Sequence, residues 1–105
     1  MEINLKEKKL LIQKTPKGLE FQLLPHRMKV LVRGENLFKV RAALDMQFYG
    51  TLKHNVSVQG DNGGYLVFFK GKDRWGLRLS DGKKREAVYL SRQDILEIKY
   101  YIEGG

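Results

Sequence analysis

The chain has 105 residues, of which 42% are hydrophobic, enough for one compact domain and too few for two independent ones. Its 20 Lys and Arg residues against 12 Asp and Glu give a formal net charge of +8, which favours a polyanionic partner such as nucleic acid or an acidic membrane surface. Cysteine is absent, so disulfide frameworks and thiolate metal sites are excluded. No apolar run approaches the roughly 20 residues that span a bilayer, so we expect a cytoplasmic protein without a membrane partner, associated with the nucleoid if its host is a prokaryote.

The first half of the chain predicts four strands and a helix. A weak strand at 2–6 precedes strands at 8–14, 19–24 and 27–33, which are separated by turn residues. The segment "ENLFKVRAALDMQF" that follows is predicted to be a helix entered near Asn36.

The second half predicts the same order of elements. Short β-prone runs at 55–59, 65–70, 74–80 and 85–91 are separated by Gly and Asp turns, which is typical of an antiparallel meander. In "SRQDILEIKYYIEGG" the first serine is placed to cap a helix, isoleucine recurs at helical spacing, and the two final glycines, Gly104 and Gly105, end it.

The two halves superpose with an offset of 56 to 58 residues, which favours an internal repeat. We therefore predict an α+β fold made of two ββββα repeats within one domain, 1–105, with repeat I at about 2–48 and repeat II at about 55–103. Chance similarity between two ordinary β-meanders is the alternative explanation.

The segment "GYLVFFKGKDRWGLRLSDGKKREAVYLSRQDILEIKYYI", residues 64–102, resembles a PUR repeat in its order of aromatic strand, basic turn, basic strand and amphipathic helix. Residues 8–48 match more loosely, and the "KGK" at 70–72 is similar to the start of a lysine-rich motif of the related Whirly family. The PUR-repeat, Whirly and positive-coactivator families bind single-stranded DNA or RNA. The resemblance implies two intertwined repeats, with helices on one side of curved antiparallel sheets, nucleic acid along the other side, and often a dimer or larger oligomer.

This chain departs from the PUR pattern in its short first strand and at "LLPHRM", residues 23–28, where an orderly hairpin is expected. The first repeat is therefore expected to bind differently or less.

The alternation of side chains along a strand predicts which residues face inward and outward, independently of the resemblance to PUR repeats. If Leu77 and Leu79 face the helices, Arg78 faces away, and the same rule leaves Tyr65, Val67, Phe69 and Tyr89 on the open face. Exposed rings stack on unpaired bases, while Lys and Arg neutralise phosphates. The candidate nucleic-acid-binding residues are Gln13, Lys14, Lys17, Lys29, Arg33, Tyr65, Phe69, Lys70, Lys72, Arg74, Trp75, Arg78, Lys83, Lys84, Arg85 and Tyr89. Core packing is the alternative for Phe69 and Trp75, and Trp75 is the better placed of the two to close the core at a strand end.

The sequence offers no catalytic or metal-binding motif. His26 and His54 lack metal-ligand spacing, and Asp61 with Asn62 is typical of a hairpin turn rather than a Ca²⁺ loop. Since no nucleophile, carboxylate pair or phosphate loop emerges, we expect neither enzymatic activity nor a cofactor.

Two function classes remain. The favoured one is a non-catalytic single-stranded nucleic-acid-binding protein with little sequence specificity, with the choice between DNA and RNA left open. Its rival is a basic protein-interaction or transcription-accessory module that docks on an acidic partner, using the helix that carries Tyr100 and Tyr101. One of these tyrosines is also suited to a homodimer interface, and packing of both against the core is the alternative. Binding of duplex DNA or structured RNA through the cations alone is a third alternative.

Overall fold

The computed structural model describes residues 1–104 and contains two antiparallel four-stranded sheets and two helices. The first sheet comprises β1 (Glu2–Asn4), β2 (Lys9–Thr15), β3 (Gly18–Leu24) and β4 (Met28–Val32), paired in chain order. Helix α1 (Asn36–Phe48) leads to the second sheet. The weak strand predicted at 2–6 is therefore present but shorter.

The second sheet is also paired in chain order. Its strands are β5 (Val56–Gln59), β6 (Tyr65–Lys70), β7 (Trp75–Ser80) and β8 (Arg85–Leu90), with a short 3-10 turn at Asp61–Gly63 and helix α2 (Arg92–Ile102) after the last strand. The predicted α+β class, with antiparallel sheets and two helices, is confirmed.

Alternating side chains explain why these segments form strands. In β3, Leu19, Phe21 and Leu23 are buried, whereas Glu20 and Gln22 are half-exposed. Each apolar residue thus points to one side of the sheet and each polar residue to the other. The same period of two makes one face of each sheet part of the core.

Both sheets and both helices contribute to one cluster of buried side chains. Phe21 of the first sheet and Phe68 of the second are its largest members, at 1% and 0% exposure. Helix α1 lies against β5 and β6 of the second sheet, and the Tyr101 hydroxyl of α2 accepts a hydrogen bond from the backbone N–H of Lys14, at 3.0 Å. The two halves therefore share a core and hold each other in place.

Helix α2 begins with the cap that the sequence predicts. The Ser91 hydroxyl accepts a hydrogen bond from the Asp94 N–H, and the Asp94 carboxylate accepts one from the Ser91 N–H, which forms a capping box. The helix ends at Ile102, and Gly104 follows with a φ of +97°. The other glycine predicted to end it, Gly105, lies outside the described residues. Within 1–104, neither helix has the length and apolarity to cross a membrane.

An ion pair joins the turn between β1 and β2 to the edge strand β8. The Lys8 ammonium donates hydrogen bonds to the Glu86 carboxylate at 2.9 Å and to the Ala87 carbonyl oxygen at 3.0 Å. The hydrogen bond from Lys8, followed by its charge, holds the pKa of Glu86 below the usual value of 4.5. Lys8 thereby covers part of an otherwise open sheet edge.

This pair predicts a pH-dependent contribution to stability. Because the folded pKa of Glu86 is lowered, its contribution is complete above pH 4.5 and is lost as the pH falls through the folded pKa. The free energy of unfolding of Glu86→Gln should therefore lie below that of the wild type at about pH 7, and the two should converge as the pH falls below 4.5 and through the folded pKa of Glu86. Urea denaturation across this pH range measures the free energy of unfolding, and Glu97→Gln, at an exposed position, is the control. A difference between wild type and Glu86→Gln that does not change with pH would contradict a stabilising ion pair between Lys8 and Glu86.

Candidate nucleic-acid interface

The outward side of the second sheet gathers aromatic and basic side chains. Phe69 on β6 is in register with Gly76 on β7, which is in register with Tyr89 on β8. Four residues back along β6, Tyr65 is in register with Ser80, and Ser80 with Arg85. Arg78 lies between these two sets of paired residues, in register with Val67 and Ala87. We call this surface the aromatic face; it consists of Tyr65, Phe69, Arg78, Arg85 and Tyr89.

The centre of the aromatic face is a ring laid across a glycine. A Cβ atom placed on Gly76 would lie 2.2 Å from Cζ of Phe69, so the Phe69 ring occupies the space that any other residue at 76 would fill. Its centroid is 5.9 Å from that of Tyr89, with the rings at 84°, an edge-to-face contact. Tyr89 is 49% exposed. The two rings thus form one aromatic cluster across three strands, which we call the platform.

Buried groups hold this platform from within the protein. The side-chain amide of Gln47, a fully buried residue of α1, donates to the carbonyl oxygen of Gly76 at 2.9 Å and to that of Phe69 at 3.3 Å. A Cβ on Gly71 would lie 3.1 Å from Cε1 of Tyr89, so the tyrosine ring rests against the turn backbone. The rings are therefore positioned before any ligand arrives, which lowers the entropic cost of binding.

Arg78 lies beside the platform. Its guanidinium carbon is 5.6 Å from the Phe69 centroid, within the range of a cation–π contact, and the side chain is half-buried. Val67 was expected on the open face, but it is only 8% exposed, since it lies in the row with Arg78. Ser80 is similarly covered, at 4% exposure. The other accessible outward side chains of this sheet are the small or uncharged Ser57, Gln59 and Ala87.

Basic turns lie at both ends of the aromatic face. At the Phe69 end, three cations and one acid line a small cavity: Lys70, Lys72, Asp73 and Arg74. Arg74 and Tyr89 also line a groove of about 400 Å³ against the β1–β2 turn, whose charged residues there are Lys6, Glu7 and Lys8. At the Tyr65 end, Lys83, Lys84 and Arg85 line a second cavity of about 420 Å³ together with that tyrosine. Positive charge therefore continues beyond the rings in both directions along the strands.

The acid in the turn that carries Lys83 and Lys84 is engaged by the backbone. The Asp81 carboxylate accepts hydrogen bonds from the N–H groups of Lys83 and Lys84, at 2.9 and 2.7 Å. These donors, Lys84 before Lys83, hold the pKa of Asp81 below its usual value. The carboxylate thus shapes the turn.

The two sheets differ sharply in their outward charge. Among the described residues, the outward positions of β5 to β8 include three rings and two arginines but no carboxylate. The outward positions of β1 to β4 contain no ring, and their charged residues are Glu2, Lys9, Glu20 and Lys29, which sum to zero. Glu2 and Lys9 approach to 3.7 Å. Only the second sheet combines rings with excess positive charge.

The candidate residues of the first half are dispersed. Gln13 and Lys29 lie on the outward side of the first sheet, and Lys17 is in the β2–β3 turn. Lys14 has the inward strand parity and lies 5.0 Å from the centroid of the Tyr101 ring. The Arg33 guanidinium donates to the Asp61 carboxylate at 3.1 Å. None of these five residues belongs to the aromatic face.

Trp75 also lies away from the aromatic face. It is in register with Lys70 and Leu90, which share the inward strand parity, and its ring is partly buried against the core. The alternative of core packing therefore describes Trp75. Phe69 lies on the outward side, although Tyr89 and Arg78 leave it only partly exposed.

Sequence reasoning missed the two glycines and Gln47. A glycine inside a strand, as in "RWGLRLS", signals a close approach, and this signal was available for Gly76. Nothing in the sequence connects Gln47 with residues 22 and 29 positions further along the chain.

Gly76→Ala tests the platform without removing a ring. The new methyl group would overlap the Phe69 ring, whose nearest atoms lie 2.2 to 2.6 Å from it, so the ring has to leave its place over residue 76. We expect single-strand affinity to fall by about threefold to tenfold, because the displaced ring no longer supports stacking. Fluorescence anisotropy of a labelled oligonucleotide measures it, with circular dichroism to verify the fold. Undiminished affinity would show that the position of Phe69 does not contribute.

The chain matches no protein-family model, no curated protein and no solved structure. The resemblance to PUR repeats stays a prediction.

Proposed function

We propose that this chain is a non-catalytic protein that binds single-stranded DNA or RNA along the aromatic face, with little sequence specificity. The observation that carries the proposal is the outward side of the second sheet, where three rings and two arginines occur without a carboxylate. A face that served only solubility needs no preorganised rings, and a core surface needs no arginines. On this proposal the protein acts in the cytoplasm, or on the nucleoid of a prokaryotic host.

Stacking and charge have separate roles in the proposed mechanism. Bases stack on Tyr89 and Phe69 at one end of the face and on Tyr65 at the other. Tyr65 and Phe69 are four strand residues apart, or about 13 Å, so each end holds a different base. Arg78, between them, pairs with a phosphate or stacks through its guanidinium plane. A duplex hides its base faces, so these rings favour unpaired strands.

The basic turns extend the proposed path. Phosphates that leave the rings meet Lys72 and Arg74 at one end, and Lys83 and Lys84 at the other. Each phosphate neutralised releases a counterion, so affinity falls with salt with a slope of about −0.7 per phosphate contact on a single strand.

We infer further that the halves are two ββββα repeats of the PUR or Whirly type. The equal order of elements supports this inference, as does the packing of α1 against the sheet of the other half. On this reading only repeat II retains a nucleic-acid face. The mixed charges and lack of rings on the first sheet support that division.

Chemical-shift mapping tests the proposal. On titration with a single-stranded oligonucleotide, amide shifts should concentrate in β6, β7, β8 and their connecting turns. The outward residues of β2 to β4 provide the internal control. Equal or larger shifts in the first sheet would contradict the assignment of the aromatic face.

A further inference from the structure

A groove on another part of the molecule has no role in the proposed function. It has a volume of about 400 Å³ and lies where the β2–β3 hairpin, the start of α1 and the end of α2 meet. Its lining residues are Lys14, Thr15, Gly18, Leu19, Gly34, Leu37, Phe38, Arg41 and Ile102. We call it the hairpin–helix groove. It shares no residue with the aromatic face.

The groove has an apolar anchor point at Phe38. This side chain is 70% exposed, the highest fraction among the large hydrophobic residues described. Single exposed apolar residues are common, but Phe38 lies beside half-buried Leu37 and Ile102 and buried Leu19 in one concavity. Together they form a continuous apolar lining.

The charge of the groove has one sign. Lys14 and Arg41 line it, and no carboxylate does among residues 1–104. The Lys14 ammonium lies 5.0 Å from the centroid of the Tyr101 ring, and the backbone N–H of Lys14 donates a hydrogen bond to the hydroxyl of the same tyrosine. Neither cation belongs to the aromatic face, so phosphate binding there leaves both unused.

We propose that the hairpin–helix groove binds an acidic peptide segment of a partner protein, with one Phe or Leu side chain inserted beside Phe38 and flanking carboxylates on Lys14 and Arg41. Charge complementarity selects this occupant. A second copy of the chain fits less well, because a two-fold contact would bring Lys14 and Arg41 of each copy together without an acidic partner in the groove. The inference is independent of the proposed nucleic-acid binding.

A synthetic peptide provides the test. We would use a labelled peptide of about ten residues with a central Phe between Asp and Glu residues, and follow its fluorescence anisotropy with the full chain. Phe38→Ala and Arg41→Glu should each weaken binding by about tenfold or more. Lys39→Glu is the matched control, because it reverses a charge at an exposed position of the same helix outside the groove lining, and it should bind nearly as the wild type does.

Further binding measurements distinguish the acidic peptide from other ligands of the groove. A peptide with Lys in place of its acidic residues should not bind, and Tyr89→Ala should bind the acidic peptide as the wild type does. Failure of the wild-type chain to bind the acidic peptide would overturn the inference. So would displacement of the bound peptide from the Tyr89→Ala variant by a single-stranded oligonucleotide. Self-association of the wild type that Phe38→Ala abolishes would reassign the groove to a second copy.

Discussion

Replacing Tyr89 with alanine is expected to weaken the binding of a single-stranded oligonucleotide by about tenfold or more, since stacking of one base on a ring contributes about 1 to 3 kcal/mol. The Tyr89 ring is 49% exposed and is positioned by Phe69 and by the backbone at Gly71. Its removal therefore eliminates half of the platform and leaves the Phe69 ring without its edge contact. Anisotropy of a labelled oligonucleotide at fixed salt measures the change.

Matched tyrosine variants identify the cause of the loss. Tyr100→Ala removes a ring that is 62% exposed on α2, away from the sheet face, and should leave affinity unchanged. Tyr89→Phe keeps the ring and should bind nearly as the wild type does. If both Tyr89→Ala and Tyr65→Ala retain full affinity, stacking is not the mechanism.

Replacing Phe68 with alanine is expected to destabilise the whole chain by about 3 to 5 kcal/mol, a large part of the 5 to 15 kcal/mol typical of a domain. Phe68 is fully buried and in register with Val56 and Leu77 on the neighbouring strands. Its loss leaves a cavity at the centre of the second sheet. Urea denaturation followed by the fluorescence of Trp75, which packs against the core, measures the change.

Phe21→Ala is the counterpart in the first sheet. Because both residues belong to one buried cluster, we expect a similar loss and a single transition in each variant, seen alike by Trp75 fluorescence and by circular dichroism. If Phe21→Ala unfolds the first sheet while Trp75 keeps its native emission, the halves do not share a cooperative core.

Local patterns in the sequence were sufficient to predict most elements. The strand at 65–70 and the helix entry near Asn36 agree with the structure, because period-two alternation and turn residues act over a few positions. The cap at Ser91 was predictable for the same reason, since its partner Asp94 is three residues away. Face assignment along each strand followed from alternation alone.

Contacts between distant segments were not predictable. The ion pair of Arg33 with Asp61 and that of Lys8 with Glu86 depend on how the two halves meet. The charge of Lys14 favours a place on the nucleic-acid face, but its ammonium group lies beside the Tyr101 ring of α2. Net charge in a sequence segment says nothing about which side of a sheet carries it, and here the cations are divided between the aromatic face and the hairpin–helix groove.

The most direct test of the central claim is a titration of the protein with a labelled single-stranded oligonucleotide, its duplex and an RNA of the same sequence, each at two salt concentrations. We predict tight binding to at least one single strand, much weaker binding to the duplex, and affinity that falls steeply as salt rises. Equal affinity for the duplex would contradict a role for the rings and leave only a basic surface. Absence of binding to all three would contradict the proposed function.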